Sequence, residues 1–476
     1  MKNTLLVCAA LVLASSVAAG QKKPLSVTTT SPEAQALYQK ALDYVENVES
    51  EKARPLLDQA IQKDPGFAMA YALRAVTGDG FNVSRQNRDK ALGLVDKVSP
   101  WERHWILASQ AQADGNVPKM KQQLAELLTL QPNDPHIAYF AGNAARLWDD
   151  VEALKYLTRA TTIDPTFAAP YNQIGYINLR NGDFAAAEQA LKQYISNRPD
   201  SANPYDSYAE LLLRMGRYDE SIAQYEKALT KTPTFAGSLT GIGHNNVFKG
   251  DYAKARESYT RLHDTGNAPD KAASLYWIAV SFVHEGKTAE ALGALEQQRE
   301  LATAQKLMPT VINAHLDQAW LLSESGKTAE ARAQIDMAEA MIKNPAFTDR
   351  AQANWHRQVL LARALTAAQA KDFATAESTI ERAKAAMTPD LPRAAIENYE
   401  STIGIIDLLR GKYDAALTHL KRADPEDAYP MFYQAEAMRL KGDVGAGEMY
   451  KKVVKSNQNG LGYALVKARA IKTSGT

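Results

Sequence analysis

Residues 202–235 read ANPYDSYAELLLRMGRYDESIAQYEKALTKTPTF, and this stretch decides the fold. It contains two amphipathic segments separated by a turn at residues 216–219, and Pro233 follows the second segment. Glycine ends a helix readily because it adopts the left-handed conformation without strain, and proline cannot continue a helix. The stretch therefore predicts two helices joined by a tight turn.

The same pattern recurs along the chain with a period of about 34 residues. The prolines that follow the second helix are spaced 33, 34 and 34 residues apart: Pro132, Pro165, Pro199 and Pro233. In a frame set by the prolines and turns, the eighth residue of every unit is small: Ala41, Ala108, Ala141, Gly175, Ala209, Gly243, Ala279, Ala319, Ala364, Gly404 and Ala435. The twentieth residue is small in every unit except at Met120. Small residues at both positions let paired helices approach closely, so the sequence predicts an array of helix pairs.

This combination resembles the tetratricopeptide repeat (TPR) family. The unit at 202–235 matches the family's pattern of aromatic, small, turn and proline positions: Tyr205, Ala209, Gly216, Ser221, Tyr225, Ala228 and Pro233. The resemblance implies an all-α fold, a right-handed superhelical solenoid of antiparallel helix pairs. It extends over nearly the whole chain beyond the N-terminal residues.

The regularity of the repeats changes along the chain. After residue 236 the units start 36, 40, 45, 40 and 31 residues apart, which predicts longer helices or linkers in the second half. We predict a signal peptide at 1–20, a linker at 21–33, an N-terminal array at 34–269 with a degenerate unit at 68–100, a C-terminal array of less regular units at 270–460, and a capping helix and tail at 461–476.

The first twenty residues have the pattern of a secretory signal. Lys2 precedes an apolar run at residues 5–19, which is shorter than the ~20 residues that cross a bilayer and which ends in small residues. This predicts cleavage near residues 19–21 and an exported protein, either periplasmic or secreted and bacterial; retention as a membrane anchor is the alternative. The single cysteine, Cys8, lies in this run, so the mature chain has no disulfide, thiol nucleophile or cysteine-bound zinc.

Composition and charge exclude several classes of protein. Apolar residues make up 45% and charged residues 23%, which is typical of a folded protein and not of a disordered one. The 55 Lys and Arg residues nearly balance the 54 Asp and Glu residues, so there is no global attraction to nucleic acid or to an anionic membrane. After cleavage of the signal, we expect no membrane span.

Motifs that would indicate an enzyme are missing from the sequence. The Gly-Lys-Thr triplets at 286–288 and 326–328 lack the earlier glycine that a phosphate-binding loop requires. The eight histidines do not have the spacing of a zinc-binding helix, and no nucleophile elbow occurs. The sequence therefore predicts a protein that is not an enzyme and that carries no cofactor and no metal.

The resemblance also implies where a ligand binds. In the TPR family the first helix of each unit lines the concave face through positions two, five, nine and twelve. These positions give the candidate ligand-binding residues Asn172, Tyr176, Asn203, Asp206, Glu210, Thr240, His244 and Tyr276. Asparagine and tyrosine suit the backbone of an extended peptide, and the two carboxylates favour a basic segment.

These observations together predict a non-enzymatic, exported TPR scaffold that binds peptide segments of a partner protein on the concave face. Two alternatives remain open: a structural bridging subunit of a cell-envelope assembly, and an adaptor that binds glycan or cell wall. The sequence does not identify the partner protein or the oligomeric state.

Overall fold

The computed structural model describes residues 26–78, 81–344, 347–388 and 391–474. In this part of the chain the regular structure is helical and contains no strand, which confirms the all-α fold class. The predicted signal peptide at 1–20 and residues 21–25 of the predicted linker lie outside the described residues.

The chain divides into two compact units, unit 1 at 1–173 and unit 2 at 174–476. The segment boundaries predicted from the sequence, including the one between 269 and 270, stay predictions. The described helices of unit 1 are α1 (Pro32–Glu46), α2 (Ser50–Lys63), α3 (Ala68–Arg74), α4 (Phe81–Gly93), α5 (Pro100–Ala113), α6 (Val117–Leu130), α7 (Pro135–Ala145) and α8 (Asp150–Ile163), with a 3-10 turn at Val95–Lys97. Helix α9 (Ala169–Arg180) contains the boundary.

Unit 2 continues with further pairs of helices. Its helices are α10 (Phe184–Asn197), α11 (Asn203–Arg214), α12 (Tyr218–Lys231), α13 (Ala236–Phe248), α14 (Tyr252–Thr265), α15 (Ala268–His284), α16 (Thr288–Ala304), α17 (Met308–Glu324), α18 (Thr328–Ile342), α19 (Asp349–Gln369), α20 (Phe373–Ala385), α21 (Arg393–Leu409), α22 (Tyr413–Leu420), α23 (Ala428–Leu440), α24 (Ala446–Val454) and α25 (Leu461–Ser474). Within both units, consecutive helices joined by short turns pack as antiparallel pairs, as the sequence predicts.

The turn chemistry explains why the helices of a pair begin and end where they do. Gly182 and Gly250 adopt φ values of 77° and 80°, which L side chains rarely tolerate. The aspartate that follows each glycine caps the second helix: Asp183 accepts a hydrogen bond from the backbone N–H of Ala186, and Asp251 accepts one at the start of α14. The glycine of each turn therefore ends the first helix, and the aspartate that follows it caps the start of the second helix.

Position eight of the repeat is small because a large side chain of the second helix lies directly against it. A Cβ atom on Gly175 would lie 2.6 Å from Leu191 Cδ2, and one on Gly404 would lie 2.7 Å from Leu420 Cγ. Both distances are well below van der Waals contact. The core of each pair is thus built by a small residue on one helix and a large residue sixteen positions later on the other.

The described part of the predicted linker is bound to unit 1. Val27 is buried, and Thr28 donates hydrogen bonds from its backbone N–H and its hydroxyl to Glu102, at 2.8 and 2.5 Å. The hydroxyl of Thr29 donates to Asp64 at 2.6 Å. Burial raises the pKa of Asp64, but the hydrogen bonds from Thr29, Thr30 and Gly66 outweigh it and hold the pKa below its ordinary value. Residues 26–31 therefore form a segment without regular secondary structure that joins α2 to α5.

An ion pair between α1 and α7 makes the stability of unit 1 depend on pH. His136 Nδ1 lies 2.8 Å from the buried carboxylate of Glu46. Burial lowers the pKa of His136, but the charge and hydrogen bond of Glu46 outweigh it and raise the pKa to about 9, with a further contribution from Asp134. The protonated imidazole is therefore favoured in the folded state.

We expect the free energy of unfolding of unit 1 to fall as the pH rises from 6.5 to 9. A histidine whose pKa is raised on folding stabilises fully below its unfolded value of about 6.5 and loses that contribution as the pH passes the folded value. Because about a third of the His136 side chain faces solvent, we expect a loss of about 1–2 kcal/mol. Urea unfolding at several pH values measures it, and His136→Gln should flatten the slope; an unchanged slope in that variant contradicts the assignment.

Candidate binding groove on the first helices

The first helices of the pairs in unit 2 lie side by side. Helix α11 packs on α13, α13 on α15, α17 on α19, α19 on α21, and α21 on α23. We call the surface that these first helices share the inner face. This is the surface on which the family resemblance places a ligand.

Two of the predicted groove residues have little access to a ligand, and a third is half-buried. Asn172 in α9 is 4% exposed, and its Oδ1 atom has no hydrogen-bond partner. Asn203 is buried at the start of α11 and donates a hydrogen bond to the hydroxyl of Tyr194 at 3.1 Å, so it joins α11 to α10. Thr240 is half-buried in α13.

The predicted carboxylates form a cluster with neighbouring hydroxyl groups. Tyr176 donates its hydroxyl proton to Glu210 at 2.7 Å, and Ser238 donates to Asp206 at 2.7 Å. Burial, together with the charge of Glu210, raises the pKa of Asp206 to about 7, although the bond from Ser238 opposes the shift. The structure therefore brings Tyr176, Asp206 and Glu210 together, as the stripe predicts, but with their polar groups already hydrogen-bonded within the chain.

The chain's own C-terminal segment lies on the inner face. We define this segment as residues 456–474; residues 456–460 have no regular secondary structure, and α25 packs against α15 and α23. The Oδ1 atom of Asn457 accepts a hydrogen bond from the hydroxyl of Tyr218 at 2.5 Å, and its Nδ2 donates to the carbonyl of Arg214 at 3.1 Å. A stretch without regular secondary structure is thus held here by the side-chain amide of Asn457.

The last two predicted groove residues are covered by this C-terminal segment. Nδ2 of Asn459 lies 3.1 Å from Nδ1 of His244, and its Oδ1 lies 3.2 Å from Nε2 of His284. The backbone N–H of Leu461 points to the hydroxyl of Tyr276 at 3.4 Å. The chain itself therefore contacts both His244 and Tyr276, which the sequence predicts as ligand-binding residues.

Burial keeps both of these histidines neutral. It lowers the pKa of His244 to about 3, with a smaller contribution from His284, and it lowers the pKa of His284 to about 4. The Nδ1 atom of a neutral His244 has one lone pair, and both the amide of Asn459, at 3.1 Å, and the hydroxyl of Tyr259, at 2.8 Å, lie within hydrogen-bond distance of it. The contact between the C-terminal segment and the inner face is therefore made through neutral hydrogen bonds.

Further along the inner face, an open groove of about 260 Å³ crosses α17, α19 and α21 and ends at α23. Three amide side chains line it, one on each of three successive first helices: Asn313, Gln358 and Asn398. In the ranges that the structure describes, none of these three side chains has a hydrogen-bond partner. We call the three residues the amide row and the cavity the amide groove.

The remaining walls of the amide groove combine apolar and aromatic side chains. Leu361 and Leu365 of α19 lie beside Ile405 of α21. At one end Trp320 and Tyr429 meet edge to face with ring centroids 4.8 Å apart, and the indole N–H of Trp320 donates to the hydroxyl of Tyr429 at 3.2 Å. The groove therefore offers an apolar floor with polar side chains along it.

Two carboxylates also line the amide groove. Burial raises the pKa of Asp317 to about 7, and no described residue forms a hydrogen bond or an ion pair with its side chain. Asp427 caps α23 by accepting the backbone N–H of Tyr429 at 2.8 Å, and burial raises its pKa as well. No lysine, arginine or histidine is found among the described residues that line the groove.

Sequence reasoning missed the amide row, although the repeat frame contained the signal. Asn313, Gln358 and Asn398 are the second residues of the units that start at 312, 357 and 397, and position two belongs to the stripe that defined the other candidates. The prediction extended that stripe only as far as Tyr276. Applying it to the longer units of the second half would have found the row.

Unit 1 has a more apolar cavity of about 360 Å³. Trp105 and Phe140 form its wall, with their rings stacked 4.2 Å apart, and Leu42 and Leu73 lie beside them. Arg88 of α4 also lines the cavity. It is a second concave site, of a size that suits one large side chain or a small molecule.

Two further properties concern metal binding and membrane insertion. Within the described stretches, no three His, Cys, Asp or Glu side chains are grouped as a metal site would require. Among the helices described, none combines the length and the apolar character needed to cross a membrane.

Comparison with known proteins agrees with the repeat pattern. The family model described as tetratricopeptide repeat matches residues 172–234 and 241–304, which fall in the helices from α9 to α16. These matches support the repeat pattern that the sequence predicts, and over the matched residues the chain is similar to the TPR family. Its helix pairs form a scaffold that is suited to protein–protein interaction.

The chain is similar to several known proteins over parts of their lengths. It is 23% identical over 223 residues to the human antiviral innate immune response effector IFIT1, which covers 44% of this chain and 44% of that protein. It is 25% identical over 385 residues to cellulose synthase operon protein C of Pseudomonas fluorescens, covering 75% of this chain and 29% of that protein. The matches thus span less than half of the length of these relatives. A solved tetratricopeptide repeat protein from Parabacteroides merdae is 14% identical, with a TM-score of 0.37, and covers 60% of this chain and 99% of that one.

Proposed function

We propose that the chain is a non-enzymatic, exported scaffold whose amide groove binds an extended segment of a partner protein. The observation that carries the proposal is the amide row: three side-chain amides without partners, on three successive first helices, along one groove. The apolar run at residues 5–19 followed by small residues supports export.

The spacing of the amide row suits an extended backbone. Packed helices lie about 8–10 Å apart, and three residues of an extended chain span about 10 Å. Each side-chain amide has one acceptor oxygen and two N–H donors, so it pairs with a peptide C=O and a peptide N–H at once. Three amides in a row therefore match about seven residues of an extended segment, one amide at every third residue.

The chain's own C-terminal segment supports this mode of binding. Residues 456–460 have no regular secondary structure, and Asn457 and Asn459 are held by the hydroxyl of Tyr218 on α12 and by carbonyl and imidazole groups of first helices. The C-terminal segment thereby contacts α11, α13 and α15. A partner segment would occupy the stretch over α17, α19 and α21, which stays open.

The proposal is tested by capture of a partner from an envelope extract on the chain from residue 21 to residue 476. The test variant replaces the amide row: Asn313→Ala, Gln358→Ala and Asn398→Ala. We expect retention to fall at least tenfold, because the partner backbone loses three amide contacts while the fold loses none. A photo-reactive residue at Ser401, which lines the groove, should cross-link to one linear segment of the captured protein.

A matched control removes three amides elsewhere. Gln122, Gln189 and Gln297 are exposed on the second helices α6, α10 and α16, so their replacement by alanine should leave retention unchanged. Equal retention by the parent and by the amide-row variant would place the interface outside the amide groove.

A further inference from the structure

We infer that the segment bound in the amide groove carries a lysine or arginine side chain, whose cation lies at the end of the groove formed by Asp317, Trp320, Asp427 and Tyr429. This inference rests on the proposed function and names the chemistry of its partner. It begins from the charge of the groove, which has two carboxylates and no basic residue among its described lining.

The four residues form one end of the cavity. Trp320 contacts Tyr429 through its indole N–H, and Asp427 accepts the backbone N–H of Tyr429. Asp317 precedes Trp320 by three residues in α17, so the two side chains share a helix face. Two carboxylates beside two aromatic rings are the surroundings that an ammonium or guanidinium group prefers.

Asp317 has no partner within the chain. A half-buried carboxylate without a cation or a hydrogen-bond donor is unfavourable in its charged form, and its raised pKa reflects this. Arg469 of α25 is paired with Glu324 at 3.3 Å, and Glu324 also accepts the hydroxyl of Tyr429 at 2.6 Å. A cation supplied by a partner provides the counter-charge that Asp317 lacks.

A second, independent observation points to a polar ligand. Thr366 of α19 is only 3% exposed and lines the groove, and no described residue forms a hydrogen bond with its hydroxyl. The hydroxyl oxygen is not sealed from solvent, so its unused donor and acceptor positions face the groove. The groove thus contains, beside Asp317, a second polar group without a partner in the described chain.

The walls favour a long side chain over a bare metal ion. Leu316, Leu361 and Leu365 line the groove next to the carboxylates, and apolar walls pack well against the methylene stem of lysine or arginine. A divalent cation needs more oxygen ligands than two carboxylates supply. The charge and the shape of the groove therefore both favour a basic side chain as the ligand.

The test uses two capped hexapeptides with a fluorescent label, acetyl-Ser-Ala-Lys-Ala-Ser-Gly-amide and a copy with norleucine in place of lysine. Norleucine keeps the apolar stem and removes the ammonium group. Fluorescence anisotropy with the full chain should show at least tenfold tighter binding of the lysine peptide. In Asp317→Asn that difference should shrink to less than threefold, while binding of the norleucine peptide should not change.

The control variant is Glu290→Gln, which removes one negative charge from the exposed first turn of α16. Glu290→Gln should leave the preference for the lysine peptide intact. A thermal unfolding midpoint of Asp317→Asn at or above that of the parent verifies that Asp317→Asn is folded. Equal binding of the two peptides to the parent overturns the inference and leaves the proposed function standing. A preference that persists in Asp317→Asn overturns the assigned position of the cation.

Two remaining outcomes also overturn the inference. If neither peptide binds at millimolar concentration, the groove does not recognise a basic side chain in an extended segment, and capture by the amide-row variant decides the proposed function separately. If the parent is a dimer in size-exclusion chromatography and the lysine peptide does not bind, a second copy of the chain occupies the groove.

Discussion

Replacing Gly243 with alanine should lower the free energy of unfolding of unit 2 by about 3 kcal/mol. The added Cβ atom would lie 2.1 Å from Cε1 and 2.6 Å from Cζ of Tyr259. Non-bonded carbon atoms need about 3.5–4.0 Å. Either the ring must leave its position or α13 must separate from α14.

The ring of Tyr259 is held in its position by its neighbours. It is fully buried, and its hydroxyl bonds to Nδ1 of His244 at 2.8 Å. The indole of Trp277 lies near it, with ring centroids 6.5 Å apart. A shift of Tyr259 would break this hydrogen bond and disturb the packing on α15, so we expect the helix pair to open.

A second glycine provides the matched control. Gly293 lies in α16, is exposed, and has no atom within 4 Å of the Cβ that alanine would add. Alanine favours a helix interior over glycine, so Gly293→Ala should raise the free energy of unfolding by about 0.5–1 kcal/mol. Urea unfolding followed by circular dichroism compares the two variants. Changes of the same sign in both would mean that close packing at position eight does not hold the pair together.

This contrast shows why the fold could be predicted from the sequence. A repeat unit is stabilised by residues close to one another in the chain, and Gly243 meets Tyr259 only sixteen residues later. Such contacts leave a regular signal: small residues at fixed positions, a turn with glycine and aspartate, and proline after the second helix. The all-α class and the pairing of helices followed from these local patterns.

Which part of the inner face the chain itself covers could not be predicted in the same way. The repeat frame identifies which side of each first helix faces inward, but not which part of that side the chain itself covers. Asn459 lies 215 residues from His244 along the chain, in a short stretch without regular secondary structure or periodicity. Nothing in the local pattern indicates that contact. The repeat frame therefore predicts candidate residues on the first helices, and tertiary contacts decide which part of that face stays open.

The C-terminal segment should detach locally when Asn459 is replaced by alanine. The substitution removes the amide that lies near Nδ1 of His244 and Nε2 of His284. Both rings are buried and neutral, and unpaired buried polar groups cost about 1–3 kcal/mol each. We expect the free energy of local opening of residues 456–474 to fall by about 2–3 kcal/mol, which is about a 30- to 150-fold loss of amide protection.

Hydrogen exchange followed by mass spectrometry measures this loss peptide by peptide. The loss should be confined to residues 456–474 and to the first helices beneath them, while the amide groove over α19 and α21 keeps its protection. Gln297→Ala removes an exposed amide from α16 and should change nothing. Uniform loss along unit 2 would mean that the C-terminal segment is part of the cooperative core. A confined loss would mean that the segment is a separable cover over His244 and Tyr276, and that its opening would lengthen the inner face available to a partner.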